Sequence, residues 1–424
     1  MKRIFSLLSL TTMLASLAAA QAPLDRIPTD VSPAAQSIAR ARETIHARPT
    51  EYAGYNLLAT ALVRCAQETS DAVLYAQAEE TVERSFQLAP GNFDTEKIQV
   101  SILLGEHEYP AALEAAKALN RRLPDDVMVY GLLTDANVEL GNYKDAEDAA
   151  QWMLNLRPGN LPALTRAARL RELFGDPEGA YELMDMAYQS TPPTDTGERA
   201  SMLTKMGHLR LLSGKIDAAE QLLLQALTAR PNDPVATESL AQVRRSQKRY
   251  AEAVALLEQR DQGAAHPEQL FALAEALQLS GRDTEAKKVF ADFEAESLAV
   301  SLGKDNANHE LVYFYADHAQ QPEKALKVAQ QEYAWRRDVY TLDAYAWALH
   351  ANGEDAEARK QVEIALAVGI RDAKILDHAG EIALKLGDRP AAERYLKESA
   401  ALDTNGSEQA RLRLAALGLE GFNR

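Results

Sequence analysis

The chain has 424 residues, and its 62 Asp and Glu exceed its 46 Lys and Arg, giving a formal net charge of −16. The single Cys excludes a disulfide-stapled fold, and 21 Gly with 17 Pro are too few for a collagen-like or Gly/Pro-rich disordered chain. The acidic excess argues against a nucleic-acid binder. Ala and Leu dominate the chain, and both types favour helices, so the composition predicts an all-α protein.

The first twenty residues have the layout of a secretory signal peptide. Lys2 and Arg3 precede an apolar run, and three alanines precede Gln21, where a lipoprotein would need Cys. The run is shorter than the roughly 20 residues that span a bilayer, although an uncleaved anchor is the alternative. We therefore predict an exported chain, periplasmic or secreted, with no later transmembrane segment. Its mature form would have 424 − 20 = 404 residues and a charge of 44 − 62 = −18.

An alanine recurs at nearly constant spacing along the chain, with two longer intervals. The ten positions are Ala78, Ala112, Ala146, Ala180, Ala219, Ala253, Ala286, Ala325, Ala358 and Ala392. Proline stands twelve positions after each of the first five alanines, at Pro90, Pro124, Pro158, Pro192 and Pro231. Glycine often stands five positions before the alanine, at Gly141, Gly175, Gly214, Gly281, Gly353 and Gly387.

This spacing predicts a pair of short antiparallel helices in each unit. Glycine ends the first helix because it adopts a left-handed cap without steric cost, and proline stops the second helix. A second series of mostly small residues stands twelve positions before the alanines, at Thr134, Ala168, Gly207, Ala241, Ala274, Ala346 and Gly380. Small residues in both series predict the points where the two helices cross most closely.

The pattern resembles the tetratricopeptide-repeat (TPR) family over about residues 50–404. The resemblance implies an all-α, right-handed superhelical solenoid of about ten TPR-like helix pairs. Trp is missing from the family's first position, and the closing proline is lost after the fifth unit. The first helix of the first unit cannot be placed without an insertion. Tyr313 stands where the eighth unit needs a small residue, so its helices should cross differently.

The two longer intervals, from Ala180 to Ala219 and from Ala286 to Ala325, divide the predicted array into repeats 1–4 (50–192), repeats 5–7 (198–296) and repeats 8–10 (304–404). Residues 21–49 form an N-terminal segment, expected to be flexible or extended over 21–36. Residues 405–424 hold a capping helix and tail. The extra residues at 190–197 and 303–308 are predicted to be loops. They are candidate joints of the superhelix, or alternatively tolerated insertions.

No catalytic or metal-binding motif stands out in the chain. The eight His are scattered, and there is no HExxH, GxSxG or Walker A sequence. Lone Cys65 lies among apolar residues and is predicted to be a buried small hydrophobe. We therefore predict a protein that is not an enzyme and has no cofactor or metal, with an undetected enzyme as the remote alternative.

Ligands of TPR proteins usually contact the first helices, which line the concave groove. Carried over by register, the groove residues are Arg166, Arg169, Lys205, His208, Gln242 and Arg245. Arg171, Arg210 and Arg244 occupy the family's usual Tyr position in three successive units. This arginine stripe suggests a groove that binds an acidic partner segment. The alternative is that these arginines pair with glutamates on neighbouring helices, such as Glu172 and Glu238.

A second candidate surface is an aromatic cluster between residues 313 and 347. Its members are Tyr313, Phe314, Tyr315, Tyr333, Trp335, Tyr340, Tyr345 and Trp347. Aromatic residues are enriched at interfaces, and register directs Trp347 toward the groove; the alternative is that they fill the irregular crossing at Tyr313. Together these features predict an exported, non-catalytic scaffold that binds protein or peptide partners. The alternative function is a scaffold for polysaccharide secretion or glycan binding.

Overall fold

The computed structural model describes residues 33–69, 71, 73–231, 233–260, 267–300, 308–402 and 409–418. Every regular element within these ranges is helical, which confirms the predicted all-α fold. No helix in the described ranges is long and apolar enough to cross a membrane. The predicted signal peptide, residues 1–20, lies outside the described residues.

Ten helix pairs follow one another, preceded by α1 (Pro33–Ala47) and followed by α22 (Gln409–Ala416). The first five pairs are α2–α3 (Tyr52–Thr69, Val73–Leu88), α4–α5 (Phe93–Gly105, Tyr109–Arg122), α6–α7 (Val127–Glu139, Tyr143–Leu156), α8–α9 (Leu161–Leu173, Pro177–Ser190) and α10–α11 (Thr196–Leu212, Ile216–Ala229). The second five pairs are α12–α13 (Pro234–Ser246, Tyr250–Arg260), α14–α15 (Pro267–Leu279, Asp283–Val300), α16–α17 (Asn308–Tyr313, Pro322–Tyr333), α18–α19 (Val339–Ala351, Asp355–Ala367) and α20–α21 (Ala373–Lys385, Arg389–Leu402).

The recurring small residues mark the helix crossings. All ten alanines of the series are 0% exposed. A Cβ added to Gly207 would lie 2.7 Å from Leu223 Cγ, and one added to Gly380 would lie 2.6 Å from Leu396 Cγ. Larger side chains at these positions would push the two helices of a pair apart. The predicted role of the small residues is therefore confirmed.

Helix ends follow the predicted glycines and prolines. The six turn glycines all have φ between 71° and 79°, a left-handed conformation that only glycine adopts without strain. Each of the five prolines of the series stands two positions beyond the end of a second helix. Several first helices start with a side-chain cap. Asp126, Asn160 and Asp233, for example, accept a hydrogen bond from the backbone N–H three positions on.

Two expectations about irregular segments need correction. The segment 190–197 is not a loop throughout, because α10 begins at Thr196 and has 17 residues where α8 has 13. The extra residues therefore lengthen a helix. Residues 21–36 are not extended to their end, because α1 begins at Pro33; residues 21–32 lie outside the described part. Of the segment 303–308, only Asn308 is described, and it begins α16.

The eighth pair departs from the regular crossing, as Tyr313 predicts. Helix α16 has only six residues and continues as a π-helical turn, Phe314–His318. Tyr313 is buried, and its hydroxyl donates a hydrogen bond to Asp343 Oδ2 at 2.9 Å. A π-helical turn widens the helix locally, which accommodates the large side chain where the other pairs carry a small one.

The superhelix returns on itself and closes. We call this contact the clasp; one side has Glu139, Gly141, Tyr143 and Gly175, and the other has Arg336, Arg337, Val339 and Gly369. The backbone N–H of Arg337 donates to the carbonyl oxygen of Glu139 at 2.9 Å. The backbone N–H of Val339 donates to the Tyr143 hydroxyl at 2.9 Å. The third and fourth helix pairs are thereby joined to the linkers that flank α18 and α19.

Close backbone packing and apolar burial support the clasp. A Cβ on Gly141 would lie 2.6 Å from the Arg337 carbonyl oxygen, and one on Gly175 would lie 2.3 Å from the Gly369 carbonyl oxygen. One continuous hydrophobic cluster includes Leu173 from the fourth pair and Val339 from α18. The two sides are therefore packed together as a protein interior is.

Candidate functional site

The described part of the chain contains a central cavity of about 550 Å³ that is open to solvent. Its cationic and anionic lining residues are Asp135 on α6, Arg166, Arg169 and Glu172 on α8, and Lys205 and His208 on α10. Val235 and Ser239 on α12 and Tyr340 on α18 also line it. A second cavity of about 1190 Å³ shares Asp135, Arg166, Arg169 and Lys205 with it. The structure thus brings together four residues that register predicted for the groove.

Both arginines of α8 are held by carboxylates of α6. Arg166 Nε and Nη2 donate to Asp135 Oδ1 and Oδ2 at 2.9 and 2.5 Å, a bidentate pair. Arg169 Nη2 donates to Glu139 Oε1 at 2.6 Å. Burial disfavours the Arg169 charge, but Glu139 outweighs it and raises the pKa of Arg169. These pairs fix the guanidinium groups in the cavity wall.

Lys205 differs from its cationic neighbours. It forms no hydrogen bond or ion pair with any residue that the structure describes. Burial lowers the pKa of Lys205, and the charges of Arg169 and Arg166 lower it further, against the opposing effect of Glu198. The Lys205 side chain is nevertheless exposed to solvent, so an anion that enters the cavity can reach its ammonium group and is attracted by it.

His208 adds a positive charge to the cavity when its imidazole ring is protonated. Its Nε2 lies 3.3 Å from Glu172 Oε1. Burial lowers the pKa of His208, but Glu172 outweighs this effect, so the pKa is raised above 6.5. The wall thus has three basic side chains (Arg166, Arg169, Lys205) against two carboxylates, and a further cation when His208 is protonated. Asp135 and Glu139 offset the charges of Arg166 and Arg169, so Lys205 is the basic group of this wall with no ion pair among the described residues.

The arginine stripe does not line this cavity. Arg171 pairs with Asp176 at 2.7 Å, Arg210 with Glu178 at 2.6 Å, and Arg244 with Glu220 at 2.8 Å. The Arg210 guanidinium also lies 3.3 Å from the centroid of the Tyr181 ring. The stripe is therefore paired with carboxylates, as the alternative prediction held. These partners differ from the two glutamates given as examples in that prediction. Glu172 lies 3.3 Å from His208 Nε2 instead, and Glu238 lines the cavity of Arg245.

Arg245 lies at another cavity, of about 210 Å³, which shares no lining residue with the central cavity. Its guanidinium is 3.2 Å from Glu275 Oε2. Lys374, in the same cavity, holds its Nζ 3.2 Å from the centroid of the Tyr313 ring. Arg245 thus belongs to a separate group of charges, in which four glutamates outnumber the two basic residues Arg245 and Lys374.

Trp347 does not project into an open groove, contrary to the expectation from register. It is 8% exposed, and its Nε1 donates to Asp317 Oδ1 at 2.8 Å. Its ring stacks on His378 with centroids 4.0 Å apart. Tyr313, Phe314 and Tyr315 are buried in the same hydrophobic cluster. These aromatic residues fill the irregular crossing and leave no exposed stacking surface there.

Sequence reasoning missed the residues that hold and complete the site. Asp135 and Glu139 carry a signal in retrospect, because they stand four positions apart on α6 and 31 and 30 positions before their arginines. That separation is close to one repeat, which would have paired them with α8. Tyr340 was predicted as a member of the aromatic cluster, but nothing in the sequence places it at this cavity, since only the closure of the superhelix brings α18 there. No group of three potential metal ligands occurs among the described residues.

The tetratricopeptide-repeat family model matches residues 200–233, which comprise most of α10, all of α11 and the linker that follows. No curated protein sequence matches the chain. Among solved structures, PilW, a widely conserved type IV pilus biogenesis factor, is 15% identical and covers 49% of this chain and 94% of its own, with a TM-score of 0.43. A TPR protein from Parabacteroides merdae is 16% identical, with coverages of 56% and 93% and a TM-score of 0.43. Human IFIT1, a dimer with PPP-AAAA, is 14% identical, with coverages of 92% and 96% and a TM-score of 0.47.

Proposed function

We propose that this chain, a tetratricopeptide-repeat protein by its helix-pair fold and by the family model matched at residues 200–233, is an exported, non-catalytic scaffold that binds an acidic segment of a protein partner in its central cavity. Helix-pair arrays of this kind present a long concave surface built from neighbouring repeats. Export rests on the signal-peptide layout of residues 1–20. The finer claim about the partner rests on the cavity.

The observation that carries the proposal is Lys205, which has no partner among the described residues and lies beside two fixed arginines. A carboxylate entering the cavity gains a partner for Lys205 without displacing an existing ion pair. Because Lys205 is exposed, an ion pair with it contributes about 0.2–1 kcal/mol. Val235 and Tyr340 give the cavity an apolar side, so a segment that alternates acidic and apolar residues fits its chemistry best.

The test uses fluorescein-labelled hexaglutamate as the probe, at low ionic strength because salt screens such contacts. Lys205→Gln should weaken binding by up to roughly fivefold, as the loss of one exposed ion pair implies. Lys144→Gln is the matched control, because it removes the same charge from a side chain that is 76% exposed on α7. Equal affinities for the two variants would refute the cavity as the binding site.

Export has its own test. The mature protein recovered from the cell envelope should begin at Gln21, as found by N-terminal sequencing. Recovery of the full chain from the cytoplasm alone would contradict it. For the alternative role in glycan binding, Trp347, Tyr313, Phe314 and Tyr315 offer no stacking surface because they are buried.

A further inference from the structure

The clasp and the central cavity are adjacent in the fold. Tyr340 lines the cavity although it is the second residue of α18, one position beyond Val339 in the clasp. The charged lining residues come from α6, α8 and α10, which precede α18 by several helix pairs. The wall of the cavity is therefore assembled from two distant parts of the array, which the clasp holds together.

A chain of ion pairs links the two features directly. Glu139 accepts from Arg169, a cavity residue, through Oε1 at 2.6 Å. The other oxygen of Glu139, Oε2, lies 2.8 Å from Nη2 of Arg336 across the clasp. Arg336 Nε in turn lies 2.7 Å from Asp338 Oδ2. Glu139 is buried, and its two oxygens form ion pairs with one arginine of the cavity and one arginine of the clasp.

We propose that the clasp completes the binding site. On this view the acidic segment binds tightly only when the superhelix is closed, and Tyr340 is a specificity-determining residue supplied by the far side. This inference rests on the proposed function, because it concerns the same cavity. By linkage, a ligand that prefers the closed state must also stabilise the clasp.

Two backbone amides report closure directly. The N–H of Arg337 bonds to the Glu139 carbonyl, and the N–H of Val339 bonds to the Tyr143 hydroxyl. Both hydrogen bonds break when the clasp opens, so hydrogen exchange at these amides measures opening without any ligand. Anisotropy of labelled hexaglutamate measures binding independently.

Comparing two glycine variants separates the effect of opening the clasp from the effect of local backbone strain. Gly175 and Gly214 both end a first helix, with φ of 76° and 71°. A Cβ at Gly175 would lie 2.3 Å from the Gly369 carbonyl oxygen, whereas a Cβ at Gly214 would meet nothing within 4 Å. Gly175→Ala should therefore speed exchange at both amides, and Gly214→Ala should not.

The same variants decide the inference. If Gly175→Ala reduces the closed fraction to about a tenth, the apparent Kd for hexaglutamate rises about tenfold. Gly214→Ala should bind as the wild type does, and hexaglutamate should slow exchange at both amides in the wild type. Should Gly175→Ala fail to fold, Tyr143→Phe takes its place because it removes one clasp hydrogen bond. In that variant exchange is read at the Arg337 amide alone, whose acceptor is unchanged.

The outcomes also distinguish this inference from the proposed function. Faster exchange with unchanged hexaglutamate affinity, or exchange that Gly175→Ala leaves unaltered, overturns the composite site while Lys205 remains the binding cation. Loss of the Lys205→Gln effect overturns the proposed function, and the composite site with it. Slower exchange in the presence of hexalysine as well as hexaglutamate also overturns the inference, because the response would not depend on an anion.

Discussion

The close crossing of α10 and α11 makes a counterintuitive prediction about Gly207. In the middle of an exposed helix, Gly→Ala stabilises by about 1 kcal/mol, because alanine loses less backbone entropy. At Gly207, however, the new Cβ would lie 2.7 Å from Leu223 Cγ and 2.9 Å from Leu223 Cδ2. Leu223 is fully buried and has no room to move away. Overpacking of this kind costs about 1–3 kcal/mol, so Gly207→Ala should be neutral to destabilising by about 2 kcal/mol.

A double-mutant cycle isolates the clash. Leu223→Ala alone should destabilise by about 2–5 kcal/mol, since it leaves a cavity. In that background the clash is gone, and Gly207→Ala should stabilise by about 1 kcal/mol. The coupling free energy between the two positions is then about 1–3 kcal/mol.

Urea unfolding followed by circular dichroism in the far ultraviolet measures the four free energies, and hydrogen exchange in α10 and α11 shows that the effect is local. If Gly207→Ala stabilises the protein equally in both backgrounds, small residues are not required at the crossings. The structural meaning given to the alanine and glycine series would then be wrong.

Three further predictions concern buried groups. Burial alone lowers the pKa of His309, yet the Glu332 carboxylate raises it from 6.5 to about 9. Protonated His309 should therefore add up to about 3 kcal/mol to the free energy of unfolding below pH 6.5. This contribution is lost as the pH rises through 9. His309→Gln should abolish this part of the pH dependence in urea unfolding, and an unchanged slope would contradict it. Trp347→Phe should cost about 0.5–1.5 kcal/mol, the net contribution of one hydrogen bond, because Asp317 is exposed and water can replace the lost donor. Hexaglutamate binding should stay the same in anisotropy. Cys65 is 0% exposed, so Ellman's reagent should react with it only after unfolding; rapid reaction of the native protein would show that the first helix pair opens.

Local rules predicted the repeated parts of the fold. The alanine series, the turn glycines and the prolines each act within one helix pair, and a periodic sequence reveals such constraints. The unusual eighth pair was likewise visible in Tyr313, because a large side chain stood where a small one was needed. The lengthening of α10 was not visible, since Pro-rich and Thr-rich residues at 190–197 favour a loop locally.

The candidate site was only half predictable. Register on the first helices found Arg166, Arg169, Lys205 and His208, because neighbouring repeats place equivalent residues side by side. It misplaced Trp347, since the wider π-helical crossing turns the aromatic side chains into the core. The clasp left no periodic signal, because its two sides meet through backbone atoms and a turn of the superhelix rather than through a repeated motif.

The Tyr143–Val339 hydrogen bond joins residues 196 positions apart, and this has a consequence for how the chain can change in evolution. An open solenoid tolerates the gain or loss of a repeat, because each unit contacts only its neighbours. A closed solenoid does not, because one repeat more or fewer between α7 and α18 would move the two sides of the clasp out of contact. Repeat number in this stretch is therefore fixed, and duplications are expected only outside it, toward either end of the chain.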